Sequence, residues 1–189
     1  MIFKAGNKTI HYCPTPKCGG TSIKVMIRKG VEGIIDYQNK IHSRFPTRLF
    51  MEVEADIKFC IVRDPVDRFL SAYLNRIVHY GDMPFVEFDD FVDNFYEKYY
   101  RFDNNIHHHF RPQVDFIGHS SSYYNKIFFF NEMSSVPEFL SEIMGKSIES
   151  EHEQRTKGGE KPIPTKSQID SIKSFYQDDY RFLKQLKDA

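Results

Sequence analysis

Tyr12-Cys13-Pro14-Thr15-Pro16-Lys17-Cys18-Gly19-Gly20-Thr21-Ser22 and Ile61-Val62-Arg63-Asp64-Pro65-Val66-Asp67-Arg68-Phe69-Leu70-Ser71-Ala72-Tyr73 are the two stretches on which the reading of this chain turns. Each passes from an apolar, β-prone run through a turn into a helical pattern. In the first, residues 9–13 predict a strand and residues 14–20 a loop rich in Pro and Gly. Thr21 or Ser22 then offers the N-cap of a helix reaching Lys29. In the second, residues 57–62 form the nearly continuous apolar run of a central parallel strand. Asp64-Pro65 follows, a capping carboxylate with proline at the first helical position. Val66, Phe69, Leu70, Tyr73, Leu74, Ile77 and Tyr80 recur at helical spacing and define a buried face. A parallel sheet brings two such turns to one edge, the edge at which α/β proteins bind ligands.

Outward from these segments the pattern alternates. Gly30 and Gly33 end the first helix, residues 33–37 predict a second strand, and a weaker helical stretch lies around residues 49–55. Gly81-Asp82-Met83-Pro84 breaks the second helix, and residues 88–100 predict an aromatic-rich one. Residues 101–122, centred on His107-His108-His109-Phe110-Arg111-Pro112-Gln113, read as irregular. A strand at 124–130, a helix at 136–144, a polar loop at 150–164 and a helix over 167–187 complete the chain. The order predicts an α/β fold, a central parallel sheet flanked by helices. The 189 residues form a single domain in this reading, since no shift in composition marks a boundary.

Lys and Arg number 26, as do Asp and Glu, so affinity for an anion must come from local placement and not from a global field. That disfavours bulk nucleic-acid binding, which calls for a basic face. Cys13, Cys18 and Cys60 have no framework spacing, and a reducing, cytoplasmic setting is expected. No run approaches the ~20 apolar residues of a membrane span, and no basic-then-apolar leader is visible at the start.

The chemistry of the two turns is that of anion binding. Glycines admit backbone N–H groups to a phosphate, a helix start adds its positive dipole end, Lys17 adds an ammonium, and Thr21 and Ser22 add hydroxyls. Lys17 precedes the glycines, whereas a Walker A loop sets Lys directly before its metal-binding hydroxyl. Arg63 closes the buried strand with a planar fork suited to phosphate, and Ser71 lies two turns into the next helix. Two adjacent anion sites suit a nucleotide phosphorylated at both ends. The residues alone leave open a P-loop-type phosphotransferase, a non-catalytic nucleotide-binding domain, and a thiol enzyme working through Cys18 at a helix start.

With these motifs in view, the chain resembles the sulfotransferases that use 3′-phosphoadenosine 5′-phosphosulfate (PAPS), and within them the carbohydrate branch, sulfotransferase family 2. Pro16-Lys17-Cys18-Gly19-Gly20-Thr21-Ser22 is similar to the family's 5′-phosphosulfate loop, and residues 63–73 to its 3′-phosphate motif. Residues 109–113, 129–133 and 172–183 resemble further landmarks. Two departures are Cys18, where a small hydroxyl or aliphatic residue is common, and residues 152–159, which replace the usual Asn-x-Ser element.

The resemblance implies a P-loop-like fold, PAPS as co-substrate and a hydroxyl acceptor, expected on a glycan, without a metal. It implies that Lys17 stabilises the leaving oxygen, that residues Pro16 through Ser22 cradle the 5′ end, and that Arg63 and Ser71 hold the 3′-phosphate. His42, between the two motifs, is the expected base, with His109 and Glu132 as reserves. Arg44 or Arg48 is expected to attract an acidic acceptor. His107-His108-His109 point in successive directions, which suits a cleft wall with Tyr100, Phe102 and Phe110 better than a metal site.

Overall fold

Among the described residues four strands, three of them parallel, form one sheet in the order β1-β2-β3-β4. The computed structural model describes residues 1–31, 53–150 and 160–187. Along the chain the elements are β1 (Ile2–Ala5), β2 (Lys8–Cys13), α1 (Gly20–Gly30), β3 (Ile57–Val62), α2 (Pro65–Tyr73), α3 (Phe88–Asp93), α4 (Asn104–Phe110), α5 (Val114–Ile117), β4 (Lys126–Phe129), α6 (Val136–Met144), α7 (Lys166–Phe175) and α8 (Gln177–Gln185). Contacts divide the chain into two units. One comprises Met1–Arg63 with Gln113–Arg155, and the other Asp64–Pro112 with Thr156–Ala189.

The first unit holds the sheet. β2 pairs with β3 from Ile10↔Ile57 to Cys13↔Cys60, and β3 with β4 from Phe59↔Lys126 to Val62↔Phe129. Alternation along the strands sends Ile10, Tyr12, Phe59, Ile61 and Phe128 to one face, where they pack with Ile23, Met26 and Ile27 of α1 and Val136 and Leu140 of α6. Tyr12 stacks on Phe59 at 4.9 Å, and Phe139 meets Phe59 and Phe128 edge-on. The opposite face carries His11, Cys13 and Cys60, all buried. There His11 Nδ1 lies 2.9 Å from the Tyr123 hydroxyl, and Lys58 sits over the Tyr123 ring. The parallel strands end together at Cys13, Val62 and Phe129. Residues 14–19, Arg63 and Phe130 therefore emerge along one edge.

The second unit is helical and aromatic. Phe69, Tyr73, Phe88, Phe91, Phe95, Tyr100, Phe110 and Tyr176 share one core. Phe69 alone meets Phe91, Phe95 and Phe110 at 5.0–5.8 Å. Arg68 is fully buried among them, donating from Nη1 to the His109 carbonyl at 3.1 Å and from Nη2 to the Arg111 carbonyl.

Several expectations change on contact with the structure. β1 was unanticipated; Gly6, at φ +57°, turns the chain back so that β1 runs antiparallel to β2 at the sheet edge. The cap of α1 is Gly19, with no side-chain bond, and neither Thr21 nor Ser22 caps it. Residues 88–100 are interrupted at Asn94, whose amide donates to both the carbonyl and the carboxylate of Asp90. Tyr80 is 51% exposed and lies outside the apolar face. Residues 104–110 are helical, not irregular, because Asp103 caps them through the Ile106 N–H. The terminal helix breaks at Tyr176, whose ring is buried and whose hydroxyl donates to the Phe110 carbonyl at 2.6 Å. The expected strand at 33–37 lies outside the described residues, as do residues 49–52 of the expected helix; residues 53–55 carry none.

Candidate nucleotide site

β2 delivers the chain to its carboxyl edge at Cys13, and Pro14 and Pro16 keep it from continuing as strand. The loop that follows closes tightly, the Cys18 N–H donating to the Thr15 carbonyl at 3.3 Å. Lys17 lies at φ +66°, the one described non-glycine residue in the left-handed region, and Gly19 lies at +74°. A non-glycine residue held there carries strain, and such strain concentrates where function requires it. An added Cβ at Gly19 would also stand 2.7 Å from Met133 Cε, so the flexible end of that side chain would have to shift. At Gly20 a Cβ would meet only ordinary contacts, so the demand for glycine falls on Gly19.

α1 begins immediately after. The Ile23 N–H donates to the Gly19 carbonyl as the first turn closes, and no acidic residue occupies that turn, while Arg28 and Lys29 lie in the last. The first-turn N–H groups of an α-helix have no acceptor within the helix, and its dipole is positive at that end. An anion is the natural complement. Thr21 is exposed and Ser22 buried, so the two hydroxyls expected at this loop differ in access. Lys24, one turn on, has its ammonium pKa lowered by burial and then by Arg28.

The second turn lies against the first. Arg63 Nη1 donates to the Lys17 carbonyl at 3.1 Å, and its guanidinium lies 4.3 Å from the centre of the Phe130 ring. The buried Gln113 accepts from the Arg63 N–H at 3.0 Å through Oε1 and donates from Nε2 to the Arg63 carbonyl at 2.8 Å. The same Oε1 lies 3.4 Å from the Cys18 thiol. Lys17, Cys18, Gly19 and Arg63 are thus brought together in one unit. Phe130 was expected as the last residue of the strand 124–130, but the strand ends at Phe129 and leaves Phe130 at the edge. Gln113 closes the landmark-like stretch 109–113, but its role was not legible, since its partners lie 50 and 95 residues away.

Beneath the loop lie buried polar groups. Tyr12 and Thr15 are buried, and neither hydroxyl has a hydrogen-bond partner among the described residues. Burial pushes the Tyr12 phenol and the Cys60 thiol well above their ordinary values, and the Cys13 thiol up to about 11. Cys18 is wholly buried with its sulfur turned to Gln113, which leaves no accessible nucleophile for the thiol-enzyme reading.

The other expected residues lie elsewhere in the first unit, in the second unit, or outside the described residues. Ser71 is partly buried on α2 in the second unit, where Asp64 caps the helix by accepting from the Val66 and Asp67 N–H groups. Tyr100 and Phe110 are core residues, not a cleft wall. His109 Nδ1 bonds the Asn105 carbonyl at 2.8 Å, which directs Nε2 to act as its basic nitrogen. Glu132 accepts the Phe129 N–H at 2.7 Å and so caps the turn after β4. His42, Arg44 and Arg48, and the loop 152–159, lie outside the described residues.

No helix among the described residues is long and apolar enough to cross a membrane. No curated protein and no solved structure matches the chain. A model of the sulfotransferase family matches residues 1–184, nearly the whole length and both of the turns described above. The chain is therefore an enzyme of sulfuryl transfer, a member of the sulfotransferase family in its second branch.

Proposed function

We propose that this sulfotransferase takes PAPS as donor and passes its sulfuryl group to a carbohydrate hydroxyl, with residues 1–189 acting as a single catalytic domain. The contact of the Arg63 guanidinium with the Lys17 carbonyl carries the reading. That contact ties the strand tip bearing Arg63 to the loop that carries Lys17 into the start of α1, which suits a doubly phosphorylated adenosine.

The acceptor oxygen attacks sulfur in line as the bond from sulfur to the bridging phosphate oxygen breaks. Adenosine 3′,5′-bisphosphate leaves with that electron pair. Charge grows on the bridging oxygen, so the Lys17 ammonium acts where the transition state needs it. Pro16 and Cys18 shape the loop; the N–H groups of Gly19, Gly20 and Thr21, with the Ser22 hydroxyl, hold the 5′-phosphate. Arg63 and Ser71 hold the 3′-phosphate and fix the donor's position. His42 takes the acceptor's proton, an assignment resting on its place between the motifs and on an imidazole pKa near ~6.5. The positive charge this transfer needs is supplied by side chains, and no metal is required. The buried free thiols of Cys13, Cys18 and Cys60 support a reducing, cytoplasmic setting.

Titration with PAPS and with ATP, each with and without Mg²⁺, tests the donor. Metal-independent PAPS binding is expected, and metal-dependent ATP binding would favour a phosphotransferase. Labelled PAPS offered with pooled glycans, lipids and phenols tests the acceptor, with label expected in the glycans. Lys17→Ala should lower kcat by about 10²-fold or more without loss of folding; unchanged turnover would remove Lys17 from the mechanism.

A further inference from the structure

β3's ladder runs out at Val62↔Phe129, one residue before Arg63. Beyond that point the Arg63 peptide groups have no strand to pair with. A single side-chain amide replaces it. Gln113, 2% exposed at the start of α5, meets the Arg63 N–H with Oε1 and the Arg63 carbonyl with Nε2, at 3.0 and 2.8 Å. A primary amide offers an acceptor and donors in one plane without carrying charge, so it can imitate both bonds of a neighbouring strand. The orientation of the amide follows from its partners, since the peptide N–H needs Oε1 and the peptide carbonyl needs Nε2. Oε1 also accepts the Cys18 thiol at 3.4 Å, which ties the amide to the first phosphate loop.

We infer that Gln113 is a positioning residue that sets recognition of the donor's 3′-phosphate. It fixes the backbone from which the Arg63 guanidinium projects and couples that backbone to the loop holding Lys17. With Arg63 anchored at its peptide, the guanidinium rests on Phe130 and against the Lys17 carbonyl. Without the amide, the half-buried Arg63 peptide loses both of these bonds and shifts, taking the side chain with it. A donor lacking the 3′-phosphate does not draw on Arg63 and is indifferent to the change. The inference rests on the donor assignment proposed above.

The test is the affinity of the full chain for adenosine 3′,5′-bisphosphate and for AMP, by calorimetry, in wild type and Gln113→Met. Met keeps the volume and removes all three bonds. The preference for the bisphosphate over AMP should fall by about tenfold or more in Gln113→Met, with AMP affinity nearly unchanged. With PAPS as donor, KM should rise by a larger factor than kcat falls. A merely structural role would weaken both nucleotides alike and leave their ratio at the wild-type value, which would overturn the inference. Cys18→Ala and Cys18→Ser give a second reading should Gln113→Met fail to fold. Ala removes only the loop tie and should lower the ratio severalfold, whereas Ser restores a donor to Oε1 and should recover it. Equal ratios in these two variants and wild type would also overturn the inference. A wild-type chain that binds neither nucleotide overturns the donor assignment instead, and the inference falls with it.

Discussion

Gly19 and Lys17 share the left-handed region of backbone space, yet only one of them is free of a side chain that objects to it. For Gly19 the objection to substitution has two separable parts. The backbone conformation costs any L-residue about 1–2 kcal/mol, and the added methyl would press on Met133 Cε. The methionine end is flexible, so the steric part can be relieved and the conformational part cannot. Gly19→Ala is expected to lower stability by about 1–3 kcal/mol. Met133→Ala placed in that background should return the steric fraction only, read from urea midpoints of the single and double variants. Full recovery in the double variant would assign the whole cost to Met133 and none to the backbone. At this scale the sequence disclosed the residues whose type is itself the signal, a Lys and a Gly in a turn and an Arg at a strand tip. It did not disclose the bonds of Gln113 to Arg63 or the stacking of Phe130 on Arg63, because each is defined by a partner distant along the chain.

Elements were legible where their causes are local. Asp64 and Pro65 start α2 as their types dictate, with Asp64 Oδ1 accepting the Val66 and Asp67 N–H groups at 2.9 and 3.1 Å. The apolar run 57–62 became β3, and 136–144 became α6, at the expected bounds. Breaks inside helices were not legible, because Tyr176 ends α7 through burial of its ring in a core assembled from distant segments. The cap of α2 also does longer-range work, since Asp64 Oδ2 accepts the Tyr180 hydroxyl at 3.2 Å. Burial, and after it the Asp64 charge, raises the Tyr180 phenol above its ordinary range. Asp64→Ala should cost about 1–2 kcal/mol, while Asp64→Asn, which keeps the capping oxygen, should cost well under half of that. Denaturation midpoints of the two variants decide the matter, and equal losses would show that the carboxylate charge outweighs the cap.

Across the whole molecule the formal charge is zero, so stability near neutrality does not hinge on self-repulsion. Its pH dependence lies instead in groups buried in their neutral forms, and these occur in both units. Burial raises the Cys13 thiol from 9.0 to about 11 and lifts Cys60, Tyr12 and Tyr124 in the same direction within the first unit. In the second, burial raises Tyr176 despite the opposing charge of Arg68, and raises Tyr73 from 10.0 to about 12. Each such group keeps its proton when folded and loses it earlier when unfolded. The unfolded chain therefore binds fewer protons above its own pKa, and stability falls as pH rises. For Cys13 the contribution is intact below 9.0 and lost as pH climbs towards about 11. Lys24 works the other way, because its lowered pKa makes the unfolded state the better proton binder below 10.5. It is one group set against several. Stability should therefore be level near neutral pH and decline from about pH 9 upward, a single thiol contributing up to about 1.4 kcal/mol per pH unit. Urea midpoints at about pH 8 and about pH 10 measure the slope, and Cys13→Ala should flatten it although it lowers the midpoint at both. A slope that begins only where exposed tyrosines ionise, unchanged by Cys13→Ala, would mean that the thiols beneath the phosphate loop are reached by water.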